Sequence, residues 1–454
     1  MVIWVRIRYL WIRQLINSLH VHNVEQTFAV PATGTLAKKV TTICWRSLHF
    51  AKSVLLPTSP SSKFVDYVAK LYGQKPGVYV LSNEYTDGVL NTLAAAMKDI
   101  PLINTFRGMR QYLTGYVNHH ILHDFANRVG LSVLGVSQDI LKTDLLANAG
   151  NKVFMAKVFR QLGLRPHVGV VCKNLQETIT ALRERLWNQG EAFVRQGVGD
   201  GGLGNLIFTY KDRVYAGNYA GDEVPVTSDN LQSLFAQLGI DEEWCELGVL
   251  VEKKHQLTRS PAILIHIDQR GKVRVVQIHE QLVTEDGGAC IGILRHFKSE
   301  VLIADMELHA QFVSAGHKIG DYFAEQGVTN TFMSIDTILC EEGLLFSEIN
   351  PRQTAACVGL FIGYRLGLLD DRVLLADDQF KTSAGDLESA LDILAQEDLL
   401  YNKRTRKGIV ITNEPHGGSM GMMIVAKTTE ESRAVYARVK QLLGKGECKL
   451  AKAA

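Results

Sequence analysis

The sequence predicts an α+β protein of more than one domain, on three observations. The chain has 454 residues, more than one ordinary hydrophobic core accommodates, so two or three domains follow. From about residue 75 apolar stretches of strand length alternate with helical ones. The middle of the chain is β-rich, and its end returns to an α/β pattern.

The elements read in order as follows. "MVIWVRIRYLWIRQLINSLH" is apolar and basic, and Arg6, Arg8 and Arg13 interrupt it. No uncharged span long enough for a membrane crossing exists there, and no small-residue cleavage site follows. It reads as a first structural element, with an amphipathic targeting or membrane-surface helix as the alternative. "LPTSPSSK" is a loop. "GVYVLSN" reads as a strand, "DGVLNTLAAAMKD" as a helix and "IPLINT" as the next strand, together a βαβ unit. "NKVFMAKVFRQLG" is a helix closed by Gly163, and Pro166 opens the strand "RPHVGVVCK". "LQETITALRERLWNQG" is a helix, and a glycine-rich link joins the strands "EAFVRQG" and "GNLIFTY". "GVLVEKKH", "PAILIHID" and "KVRVVQIHEQLV" are strands, the last two joined by the hairpin composition "DQRGK". A helix over residues 305–326 precedes a second hairpin, "TFMSIDTILCEEGLLFSEINPR", turning at Glu341-Glu342-Gly343. "GIVITNEP", the turn "HGGSMG", "MMIVAK" and the helix "TTEESRAVYARVKQLL" form a small α/β appendage.

Composition narrows the function classes. Apolar residues make up 46% and charged residues 21%, ordinary for a globular enzyme. With 49 basic against 47 acidic residues the net charge is +2, which gives no support for a nucleic-acid partner. Seven cysteines (44, 172, 245, 290, 340, 357 and 448) are scattered without a CxxC pair. They read as buried thiols of a reducing, cytoplasmic compartment, not as a disulfide framework or zinc site.

Two stretches carry chemistry. In "LLFSEINPRQ", Glu348, Asn350 and Arg352 alternate with Ser347, Ile349 and Pro351, so an extended chain points all three to one face. A carboxylate and an amide oxygen are ligands for a hard cation such as Mg²⁺, and Arg grips phosphate or carboxylate bidentately. The bland reading is a strand end with a solvated edge. "VRQGVGDGGLGN" holds five glycines in twelve residues. It reads as a hairpin loop, or as a flexible cover whose backbone N–H groups lie against polyphosphate oxygens, with Arg195 adding positive charge. It matches neither a P-loop nor a dinucleotide-binding fingerprint.

The order of parts resembles the ATP-grasp superfamily: Lys152 opening a helix, Arg195 with its glycine loop, Glu252-Lys253 ending a strand, then Asp336 and Glu348-Ile349-Asn350-Pro351-Arg352 on a hairpin. This likeness spans roughly residues 140 to 360. Together with "VEKKHQLTRSPAILIHID", "VQIHEQLV" and the C-terminal stretch from "GIVITNEPHGG" onward, it is most similar to the pheganomycin-type peptide ligases. That resemblance implies an α+β chain in three parts. These are a pre-ATP-grasp α/β domain over residues 1–148, an ATP-grasp domain over 149–375 with its glycine loop at 197–205, and a small C-terminal domain over 376–454.

It also implies roles. Lys152, Arg195 and the loop glycines Gly199, Gly201, Gly202 and Gly204 would meet the phosphates of ATP, and Glu252 with the backbone around Lys253 and Lys254 the adenine and ribose. Asp336, Glu348 and Asn350 would hold two Mg²⁺ ions, or Mn²⁺, with Glu348 bridging. Arg352 would neutralise the transferring phosphoryl group. The implied reaction joins a small carboxylic acid, an amino acid or derivative, to an amine of an amino acid or peptide. It proceeds through an acyl phosphate and releases ADP and phosphate. No nucleic-acid or membrane partner is implied, and self-association stays open. Three departures stand out: Arg195 replaces the family's Lys, "QTAACVG" follows the hairpin in place of Gly-Gly-Thr, and the first 60 residues show no clear glycine-bearing first strand.

Other residues have ordinary readings beside chemical ones. His119 and His123 lie at i, i+4, as metal ligands on a helix do, yet a third ligand is not in view. His279 and Gln281 alternate on a strand and read as cleft-lining or packing. Arg259 reads as a hairpin charge or a phosphate contact, and Met420, Met422 and Met423 as core. The rival functions are another ATP-grasp ligase, carboxylase-like or amidoligase, and a nucleotide-binding regulator without turnover.

Overall fold

The computed structural model describes residues 10–27, 34–86, 89–167, 169–198, 205–209, 214–215, 223–227, 229–238, 240–246, 248–283, 290–295 and 306–445. Among these residues no helix is long and apolar enough to cross a membrane.

A parallel five-stranded sheet comes first, in the order Gly77–Val80, Ser53–Leu56, Leu19–Val21, Tyr112–Gly115, Ser132–Val133. Parallel neighbours need crossovers, and the helices Ser62–Tyr72 and His120–Val129 supply two of them. Ser62–Tyr72 starts where the Ser61 side chain accepts the Phe64 N–H, and it stops at Gly73 with φ 71°. Its Phe64, Val65, Val68 and Leu71 lie on one buried face. The central strand, Leu19–Val21, falls in the first 60 residues, where the sequence shows no glycine-bearing strand. Ahead of it, Leu10–Ile16 is a short helix whose Trp11 stacks on His266 of the body at 4.2 Å.

Two local expectations are corrected here. "IPLINT" is a helix, Ile100–Phe106, not a strand. Asp99 caps it by accepting the Leu102 N–H, Pro101 sits in its first turn, and Leu102, Ile103 and Phe106 bury at helical spacing. The return strand of the supposed βαβ unit is Tyr112–Gly115 instead. In "DGVLNTLAAAMKD" the helix begins only at Thr92, after Asn91 as cap, and Val89–Leu90 pairs with Tyr85–Thr86.

The body holds two more sheets. A six-stranded antiparallel sheet runs Glu223–Val224, Val214–Tyr215, Asn205–Thr209, Glu191–Gln196, Val249–Glu252, Val170–Cys172. The helix Leu175–Gln189 packs over it through Ile179, Leu182 and Leu186. "RPHVGVVCK" is strand only over Val170–Cys172. Pro166 instead bridges to Phe346, with the His167 N–H donating to the Phe346 carbonyl at 2.7 Å.

The nine-stranded sheet contains Leu257–Arg259, Thr331–Cys340, Pro261–Ile267, Val273–Val283, Cys290–Arg295, Val373–Lys381, Ser419–Ala426 and Gly408–His416, with Gly343–Asn350 paired to Thr331–Cys340. Helix Met306–Glu325 lies on it closely, because Gly316 and Gly320 face the sheet. A Cβ on Gly320 would meet Val273 Cγ1 at 2.4 Å. The last two strands continue this sheet through Val373–Lys381, and the division at 375/376 lies within that strand. Met420, Met422 and Met423 are buried in the core there. Of the six described cysteines, all free, five are buried, whereas Cys290 opens its strand exposed to solvent.

The carboxyl end of Tyr112–Gly115 meets the body. The Gln353 N–H donates to the Tyr116 carbonyl at 3.1 Å and its side chain to the Gly115 carbonyl at 3.3 Å. Arg46 pairs with Asp378 at 2.8 Å, both largely buried.

Candidate active site

Four elements from four stretches of chain converge. Helix Lys152–Gln161 is started by Asn151, whose side chain accepts the N–H groups of Val153 and Phe154. The Lys152 N–H donates to the Gly197 carbonyl at 2.9 Å, which ties this helix end to the mouth of the glycine stretch. Strands Glu191–Gln196 and Val249–Glu252 lie side by side, with Leu250 opposite Arg195. The hairpin Thr331–Cys340/Gly343–Asn350 faces them.

On that hairpin Asp336 is directly opposite Glu348 and Ser334 opposite Asn350. The Asn350 Nδ2 donates to Asp336 at 3.1 Å and to Glu348 at 3.4 Å, so one amide holds two carboxylates together. Ser334 donates to the other Asp336 oxygen at 3.1 Å. Lys152 Nζ reaches Glu348 at 2.9 Å from a buried position. The electrostatics divide the pair. Burial first, and then the charge of Glu348, raise the Asp336 carboxyl well above the ordinary carboxylate range. Burial also raises Glu348, but Lys152 and Arg195 outweigh it and hold Glu348 low and ionised. Arg352, 8% exposed, adds its positive charge toward Asp336.

Behind this pair lies a second cluster. Arg195, 4% exposed, grips the fully buried Glu252 with Nε at 2.6 Å and Nη2 at 2.9 Å. Its Nη1 donates to Ser347 at 2.7 Å, and its Nη2 lies 3.3 Å from His167 Nδ1. Burial, the largest influence, pushes Glu252 up, yet Arg195 and His167 bring it below the usual range. His167 is pushed down to about 4, chiefly by burial, so at neutral pH its Nδ1 is free to accept from the guanidinium.

The structure therefore brings Lys152, Arg195, Glu252, Asp336, Glu348, Asn350 and Arg352 into one region. It does not bring in the side chains of Lys253 and Lys254. Lys253 turns outward to Glu341 at 2.8 Å and Glu342 at 3.2 Å, and Lys254 to Glu191 at 3.3 Å. Gly199, Gly201, Gly202 and Gly204 lie outside the described residues.

Ser347 and His167 are additions that the sequence reading missed. Strict alternation puts Ser347 on the face opposite Glu348. The ladder, however, shifts register between Asp336 and Thr337, which pairs with Phe346 and leaves Ser347 without a partner position. Such a bulge re-aims a side chain, and it lets neighbouring residues 347 and 348 serve the two clusters. No sequence signal marks it.

The remaining candidates have structural partners. His119 caps its helix by accepting the Ile121 N–H, and His123 Nε2 lies 2.8 Å from the Val136 carbonyl. Arg259 pairs with Glu280. His279 is buried beside Gln277, while the Gln281 side chain hydrogen-bonds to Asp336.

The fold of the chain matches solved structures over nearly its whole length. The biotin carboxylase domain of Hydrogenobacter thermophilus 2-oxoglutarate carboxylase, solved with MgADP, ADP and bicarbonate, aligns over 95% of this chain and 91% of its own, with a TM-score of 0.55 and 10% identity. Campylobacter jejuni biotin carboxylase aligns over 96% and 93%, at 0.57 and 9%. N5-carboxyaminoimidazole ribonucleotide synthetase from Thermus thermophilus aligns over 95% and 100%, at 0.52 and 13%. The fold is the ATP-grasp fold. Within it, the body sheets carry the described site, and the parallel sheet is the N-terminal α/β part. Residues 389–439 match the family model described as the PGM1 C-terminal domain. They span the end of the ATP-grasp sheet and most of the last helix, Thr429–Leu443. No curated protein sequence matches the chain.

Proposed function

We propose that the chain is an ATP-dependent carboxylate–amine ligase that forms an amide through an acyl phosphate and releases ADP and phosphate. The observation that carries this is the Asp336–Glu348 pair, opposite in register and bound by one Asn350 amide, with Lys152 on Glu348. Two carboxylates and an amide oxygen form a hard-oxygen donor set, and two acidic side chains pressed together at one site fit a divalent cation such as Mg²⁺. Bound there, Mg²⁺ would offset the charge that gathers as a carboxylate oxygen meets the γ-phosphorus of ATP.

The residues of the chain supply the rest. Lys152 and Arg352 present fixed positive charge beside the carboxylates. Arg195, fixed by Glu252 and Ser347, adds a third cation whose orientation is set before any nucleotide arrives. The outward turn of Lys253 and Lys254 leaves the backbone after Glu252 to offer N–H and C=O groups to a base. An acyl phosphate is an activated acid with a good leaving group, and an amine captures it without any enzyme nucleophile. The acid we propose is an amino acid or derivative, and the amine that of an amino acid or peptide. The likeness of "VRQGVGDGGLGN" and "SEINPR" to pheganomycin-type ligases supports this choice.

A second reading comes from the neighbours, which are carboxylases and a carboxyaminoimidazole synthetase, one solved with bicarbonate. Bicarbonate would then be the acid. One experiment addresses both: ADP and phosphate release with ATP and Mg²⁺ across amino acids, singly and in pairs, and with bicarbonate. Glu348→Gln is the control. Release that needs an acid plus an amine and vanishes in the control supports the ligase, and dependence on bicarbonate transfers support to the carboxylase. Release of AMP and pyrophosphate refutes both. Tight ATP binding without turnover favours a regulator.

A further inference from the structure

Outside the carboxylate site, one cluster gathers metal-ligand chemistry that the proposed reaction does not use. His255, just past the strand Val249–Glu252, and Cys340 and Glu341, at the turn of the hairpin, offer a nitrogen, a sulfur and an oxygen all within 4.8 Å of one another. His255 Nδ1 is 3.4 Å from Glu341 and 3.8 Å from Glu342. The imidazole is only 8% exposed and its ring packs on His167 at 5.1 Å, so its orientation is held by its surroundings. Cys340 is buried, and its thiol lies 3.6 Å from the Gly343 carbonyl and also meets the Glu342 backbone. The two carboxylates are about two-fifths exposed, at 42% and 36%, which leaves a path from solvent.

We propose that His255, Cys340 and Glu341 form a binding site for a borderline divalent cation of the Zn²⁺ class, distinct from the hard-oxygen site at Asp336 and Glu348. The donor set decides the class. Imidazole and thiolate favour Zn²⁺ or Co²⁺ over Mg²⁺, which prefers oxygen alone. Tetrahedral coordination puts donor atoms about 3.5 Å apart, so side-chain rotation by roughly an ångström closes the triad, and water or Glu342 completes it. Charge already favours a cation here. Lys253 places its ammonium 2.8 Å from Glu341 and 3.2 Å from Glu342, and it swings out as the ion enters. Binding converts the Cys340 thiol to a thiolate and releases one proton per ion to solvent. The ion would clip the exit of the strand Val249–Glu252 to the hairpin that carries Asp336 and Glu348.

The test is a Co²⁺ titration of the full chain, stripped with chelator and kept reduced. One equivalent giving a thiolate-to-cobalt charge-transfer band in the near ultraviolet is expected, with displacement by Zn²⁺ and none by Mg²⁺. Cys340→Ser should abolish the band, and His255→Gln should weaken binding by more than the roughly 10–100-fold typical of an outer-sphere partner. Lys253→Met, which removes the competing ammonium, should tighten binding. Cys290 lies near enough to Asp336 to feel its charge, so Cys290→Ser, which should keep the band, separates this site from the carboxylate site. Chelator-treated variants with an unchanged unfolding midpoint confirm that the fold persists. No band in the parent chain, a band that survives Cys340→Ser, or one lost in Cys290→Ser overturns the proposal.

Discussion

Arg195 and Glu252 close two parallel hydrogen bonds, at 2.6 and 2.9 Å, in a place where the carboxylate is fully buried. The pair joins neighbouring strands, and through Ser347 it is linked to the hairpin that carries Glu348. A bidentate fork of this kind fixes orientation as well as charge. Arg at this position, where the sequence resemblance implies Lys, therefore has a structural counterpart, since a lysine could not bind Glu252 and Ser347 in the same geometry.

Removing one partner leaves the other charge buried. Arg195→Met should destabilise the protein by about 3–5 kcal/mol, and the double variant Arg195→Met/Glu252→Met by less than the single one. Urea unfolding of the full cycle reads the difference. A double-variant loss equal to the sum of the two single-variant losses would show that the pair is not coupled.

Arg195→Lys keeps the charge and loses the fork. The fold should survive with a smaller loss, while ATP affinity measured by calorimetry falls, because the guanidinium contacts to Ser347 and His167 that preset its position are gone. Unchanged affinity would rule out a preset role for the guanidinium.

Lys152 is the direct cationic partner of Glu348, at 2.9 Å. Lys152→Met should lower ADP release by about 10²–10³-fold, the range for removing one preorganised electrostatic contact at a reacting centre. A comparable rate in the variant would place the reacting phosphate elsewhere.

Glu25 gives a pH signature remote from the site. Burial, opposed by hydrogen bonds that include the Thr92 N–H at 2.8 Å, lifts its carboxyl from 4.5 to about 7. The folded state then holds a proton that the unfolded chain has lost, so stability contributed by the neutral carboxyl is present below pH 4.5 and is lost as pH rises toward 7. The full span is at most about 3.5 kcal/mol, at about 1.4 kcal/mol per unit. Glu25→Gln should flatten the unfolding free energy across this window relative to the parent chain. Parallel profiles for the two proteins would contradict it.

Gly320 sets the distance between the helix Met306–Glu325 and the sheet. Its missing Cβ would lie 2.4 Å and 2.8 Å from the two methyl carbons of Val273, a β-branched side chain with little room to turn. Gly320→Ala gains about 1 kcal/mol of helix propensity and meets overpacking of about 1–3 kcal/mol. A net loss in unfolding free energy is expected, relieved by Val273→Ala in the same chain. A gain on Gly320→Ala alone would mean the helix shifts freely.

Much of the site is legible in the residues because its logic is local. Glu348, Asn350 and Asp336 lie on two strands of one hairpin, and the period of two together with the turn at Gly343, φ 96°, sets which of them face each other. The start of the helix at Lys152 is set by the neighbouring Asn151. The long helices are local in the same sense, since their apolar spacing and glycine stops are written within a few turns.

Tertiary structure decided what local rules leave degenerate. A six-residue apolar run such as "IPLINT" fits strand or helix equally, and burial of Leu102, Ile103 and Phe106 against the parallel sheet selected helix. The bulge at Ser347, the approach of His167 and the outward turn of Lys253 each depend on a segment distant in sequence: Arg195, Phe346 and Glu341 respectively. The joining of the C-terminal strands to the body sheet is of the same kind. Backbone hydrogen bonds between strands carry no residue code, so their pairing is set by the packing of the whole chain.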